Sequence, residues 1–204
     1  MPVRRCSPAS CFGRSPGPEV EKGNAMTQFE YVAVATALLY SIGVGQLLTK
    51  MPHVARRGRR AGLTVLWAVY LLMYCSVTWW LLWRALEVQW NSLRFLWALL
   101  LPSLIIVRAS ILFGPAPDQV QDFERYFYEN RLKFYGVGIV GASAAFLVPW
   151  VYGAFPWFTL SPVQPGAMVS ILFSTLAFAT PNAKVQWLVP SVLIGLMLFL
   201  LGLG

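Results

Sequence analysis

The sequence is poor in the residues that carry most metal and acid–base chemistry. It has one histidine, three cysteines and eight acidic residues in 204. The histidine, His53, has no second His, Cys or carboxylate beside it, and a metal site needs several ligands. Cys6 and Cys11 lie in the leading segment and Cys75 lies inside an apolar run. No CxxC spacing occurs, so the usual zinc and dithiol signatures are excluded, and Cys75 reads as a small packing residue. There is no Ser-His or Cys-His arrangement, no HExxH, no Walker loop and no pair of intramembrane aspartates. No catalytic residue, metal or cofactor is therefore expected.

Apolar surface is what the chain has in excess: 57% of residues are hydrophobic and 15% aromatic. A soluble domain of this size has too little interior to bury that much. A bilayer solvates it instead. The formal net charge is +8, but the bases gather in short segments beside apolar runs. That is the membrane pattern, and it argues against a nucleic-acid partner. The expected fold is all-α: a polytopic transmembrane helical bundle of about six spans, with the lipid bilayer as its first partner.

Residues 1–25 are rich in Pro, Ser, Gly and Arg and lack a continuous apolar core, so they do not form a secretory signal. They are expected to be a disordered tail, or to lie upstream of a true start at Met26. The transmembrane domain is 26–204. Its first span, about Phe29–Leu48, opens on Thr27-Gln-Phe-Glu30, which has the capping-box spacing. That accounts for Glu30 structurally. The segment Lys50–Arg60, KMPHVARRGRR, reads as a basic loop. A second span, Ala61–Trp83, ends in Trp79, Trp80 and Trp83, suited to an interfacial aromatic belt. A third, about Leu93–Phe113, contains Pro102 and, near its end, Arg108. In Gly114–Lys133, Asp118 and Gln121 suggest a helix start, and Val120, Phe123 and Phe127 recur at helical spacing. This predicts a short interfacial amphipathic helix leading into span four. Span four, Phe134 to about Tyr152, carries a smooth side of Gly and Ala suited to close helix approach. Spans five (about Gly166–Thr180) and six (about Val185–Leu203) complete the chain, with Pro190 in the last.

Orientation follows from the bases. Lys50, Arg56, Arg57, Arg59, Arg60, Arg125, Arg131, Lys133 and Lys184 fall on one side, against Arg84 and Arg94 on the other. The positive-inside rule places the first set in the cytoplasm. Six spans then leave both termini outside a bacterial inner membrane.

Phe29-Glu30-Tyr31, the Trp79-Trp80 pair, Glu87-Val88-Gln89-Trp90 with Arg94-Phe95, and Tyr126-Phe127-Tyr128-Glu129-Asn130-Arg131 together give the chain a resemblance to a family of uncharacterised bacterial multi-pass integral membrane proteins. The resemblance implies a helical membrane protein and brings no activity, ligand or catalytic residue with it.

Two groups of polar residues are candidate sites. Glu30, Arg84, Glu87 and Arg94 gather at the outer ends of the first three spans. Arg94 sits at a helix amino end, where the dipole disfavours a cation, so Glu87 or Glu30 is expected to pair with it as a latch or as part of a ligand site. At the inner side, Arg56, Arg57, Arg59, Arg60 and Arg108 are candidates for anionic lipid headgroups, with plain snorkelling the simpler expectation for Arg108. The functional expectation is a structural or accessory membrane subunit, with a membrane-protein partner or a second copy. The alternative is a small transporter or channel, argued against by the lack of an ionisable residue at mid-membrane.

Overall fold

The computed structural model describes residues 27–56, 61–83, 89–114, 120, 122–153 and 163–202. Among them the chain forms six helices: α1 Gln28–Ala55, α2 Gly62–Leu82, α3 Ser92–Phe113, α4 Phe123–Tyr152, α5 Val163–Ala179 and α6 Ala183–Gly202. The all-α bundle expected from composition is the observed architecture. Helices α1 to α4 are each long and apolar enough to cross a bilayer, and α5 and α6 are shorter apolar helices.

Local chemistry sets the helix starts. The Thr27 backbone N–H donates to Glu30 Oε2 at 2.6 Å, and the Glu30 N–H donates to Thr27 Oγ1 at 3.3 Å, closing the expected capping box. Asn91 accepts from the Arg94 N–H at 2.9 Å and starts α3. Asp122 accepts from the Glu124 and Arg125 N–H groups at 3.0 and 3.1 Å and starts α4. The expected start at Asp118 and Gln121 lies outside the described residues. The amphipathic segment before span four runs into it without a break. At about 1.5 Å per residue α4 is about 45 Å long, more than the roughly 30 Å of a hydrocarbon layer. Phe123 and Phe127 in its first turns are buried against Phe134 and Tyr135 in the bundle core.

The basic segment after span one is helical further than its composition suggests. α1 continues through Pro52 to Ala55, and Arg56 is its cap, with its N–H donating to the Pro52 carbonyl at 3.2 Å. Lys50 is therefore a helix residue, while Arg57, Arg59 and Arg60 lie outside the described residues.

Helix α2 stands at the centre, in contact with α1, α3, α4 and α6, and α5 packs on α4 and α6. The core lies toward its amino end, where Leu63, Trp67, Ala68, Tyr70 and Leu71 are buried against Leu112, Phe113, Phe134, Tyr135 and Leu193. Along α1, Phe29, Val32, Thr36, Gly43 and Leu47 face inward while Tyr31, Val34, Leu38 and Ile42 face out. Both faces are apolar, as lipid on the outside requires. The smooth side of α4 is used within the molecule. Ala142, Ala144 and Ala145 are buried, and α4 packs against α3 and α5.

Candidate functional site

The most unusual side chain in the bundle is Arg108. It comes from the penultimate turn of α3 and is only 7% exposed. Its guanidinium carbon lies 4.4 Å from the Phe134 ring centre, 5.3 Å from that of Trp67 and 5.8 Å from that of Tyr70. Helices α2 and α4 thus supply an aromatic cage. Trp67 and Tyr70, three residues apart on α2, meet edge to face at 5.4 Å, and Phe134 meets Trp67 at 4.9 Å. Gly138, one turn beyond Phe134 on α4, provides the clearance. A Cβ there would stand 3.2 Å from the guanidinium carbon and Nη2. The Nε and Nη2 groups are buried with no hydrogen-bond partner among the described residues.

Arg108 does not snorkel, contrary to expectation. Its guanidinium is turned inward onto rings of α2 and α4, and Phe127 packs on Phe134 behind it. The ring faces supply the negative potential that water would otherwise supply. A guanidinium is the cation suited to this, being planar and weakly hydrated. Sequence reasoning missed the cage because its rings lie on other helices. The local signal is a pair of patterns, Trp67/Tyr70 on α2 and Phe134/Gly138 on α4, each placing two residues on one helix face.

Two other polar side chains tie helix ends together. Gln186 is fully buried. Its Nε2 donates to the Ala177 and Thr180 carbonyls, each at 2.8 Å, and its Oε1 accepts from the Tyr135 hydroxyl at 2.6 Å. One side chain of α6 thereby satisfies orphan carbonyls at the end of α5 and joins both to α4. Arg131 Nη1 adds a bond to the Phe178 carbonyl at 3.3 Å.

At the opposite end, Arg94 Nε donates to the Val151 carbonyl at 3.0 Å and Nη1 donates to the Gln89 carbonyl. Its cation answers the negative end of the α4 dipole, where Gly153 turns the chain at φ 65°. Glu30 serves its own helix start, and among the described residues no ion pair joins it to Arg94. Arg84 and Glu87 lie outside the described residues. Arg56 is exposed at the end of α1.

A cleft of about 450 Å³ opens at the basic end between α1, α3 and α4. Lys50, Ser110, Tyr126, Asn130 and Lys133 supply its polar lining, and Val107 belongs to its apolar wall. Lys50 Nζ donates to the Gly114 carbonyl at 3.3 Å, and Ser110 donates to Gln46 Oε1 at 3.1 Å. Partial burial holds the Tyr126 phenol, in the polar first turns of α4, above its ordinary range.

No family model, curated protein or solved structure matches the chain.

Proposed function

We propose that the protein is a six-span inner-membrane protein of a bacterial cell that acts as a structural or accessory subunit. Its basic end, with Lys50 and Arg56, faces the cytoplasm, and both termini lie outside. The observation that carries the reading is how its buried and half-buried polar side chains are spent. Arg108 is stacked among rings of two other helices, Gln186 is bonded to α4 and α5, and Arg94 closes the end of α4. Each holds helices in fixed register, which suits a rigid scaffold.

A small transporter or channel is the second reading. It is favoured by one observation that sequence reasoning lacked, an ionisable side chain enclosed within the helices. Purification in gentle detergent followed by native mass measurement and reconstitution in liposomes separates the two. The subunit reading predicts a stoichiometric membrane partner or a defined oligomer, and no ion flux above that of empty vesicles. Flux that Arg108→Leu abolishes, from a monomer with no partner, overturns it.

A further inference from the structure

We infer that the cleft between α1, α3 and α4 is a binding site for one anionic phospholipid, its phosphate held by Lys50 and Lys133. The inference goes beyond the proposed function and stands under either reading of it.

Lys50 and Lys133 come from different helices and line the same cleft, and among the described residues no carboxylate lines it. The nearby acid Glu129 is engaged, its Oε1 accepting from Arg125 Nε at 3.0 Å. An ammonium has three donors, and the Lys50 bond to Gly114 uses one of them. Ser110 and Asn130 add neutral polar groups around the same opening. Shape then selects the source of the phosphate. Val107 and Ile111 form an apolar wall that continues along α3 toward the span, and Val107 is 44% exposed. A free phosphate has no use for that wall, whereas an acyl chain covers it. The cleft also lies at the basic end of the bundle, which the positive-inside rule assigns to the leaflet facing the cytoplasm, where anionic lipids concentrate.

The test uses the full chain, purified after exposure to equimolar phosphatidylglycerol and phosphatidylcholine, with retained lipid counted by native mass spectrometry. The expected result is one phosphatidylglycerol per chain, retained at least fivefold over phosphatidylcholine. Retention should fall to parity in Lys50→Gln/Lys133→Gln, persist in Lys184→Gln, which removes an exposed base outside the cleft, and resist a thousandfold excess of inorganic phosphate. If the double variant does not purify as a single species, Lys133→Gln alone, at an exposed position, should lower the preference at least twofold. Equal retention of the two lipids by the wild type overturns the inference, as does an unchanged preference in the lysine variants. An equal loss in Lys184→Gln would assign the effect to diffuse surface charge, and displacement by phosphate would assign the cleft to the free anion. Either result refutes a lipid site.

Discussion

At the scale of single residues, the molecule turns on what it does with polar groups that lipid cannot solvate. Arg108 meets the faces of Phe134, Trp67 and Tyr70. Desolvated cation–π contacts are worth about 2 kcal/mol. Arg108→Leu should lower stability in detergent by about that amount, and Arg108→Lys should recover only part, because an ammonium is held more tightly by water. Urea or thermal unfolding monitored by tryptophan fluorescence measures both. Gly138→Val should be destabilising by about 1–3 kcal/mol through overpacking against the guanidinium. Combining it with Arg108→Leu should cost less than the sum, since both changes act on one contact. Gln186→Leu strands the Tyr135 hydroxyl and the carbonyls of Ala177 and Thr180. An unsatisfied buried group costs about 1–3 kcal/mol, so this substitution should be among the most damaging.

At the scale of helices, the starts are set by residues within one turn, and some of these are legible in the sequence. The Thr27–Glu30 box is such a case, because both partners are three residues apart. Asp122→Ala removes the acceptor for two N–H groups of α4 and should cost about 1 kcal/mol. Amide exchange at Glu124 and Arg125 should speed up while that of α1 stays unchanged. The extent of α1 was less legible. A run with Lys50, Pro52, His53 and Arg56 looks like a loop, yet a helix can extend past the lipid into water, where charged side chains and an exposed proline are tolerated. The first turns of α4 behave similarly, with Phe123 and Phe127 facing the core although Asp122, Arg125 and Glu129 mark the segment as polar. The Arg108 cage was illegible for another reason. Its parts lie on α2, α3 and α4, and the Trp67/Tyr70 and Phe134/Gly138 spacings mark a face on each helix without telling which faces meet. The same limit applies at Arg94, whose partner is a backbone carbonyl on α4, while sequence reasoning looked for a carboxylate.

At the scale of the whole molecule, α2 is wrapped by four of the other helices and the densest packing lies at the basic end. The account rests on that bundle crossing a membrane with its basic end inside. Membrane-impermeant thiol labelling in intact cells tests this most directly, using Arg56→Cys and Gln89→Cys in a background where Cys6 and Cys11 are serine. The account predicts that position 89 reacts from outside and that position 56 reacts only after the membrane is opened. Labelling of position 56 in sealed cells, with position 89 protected, would contradict it.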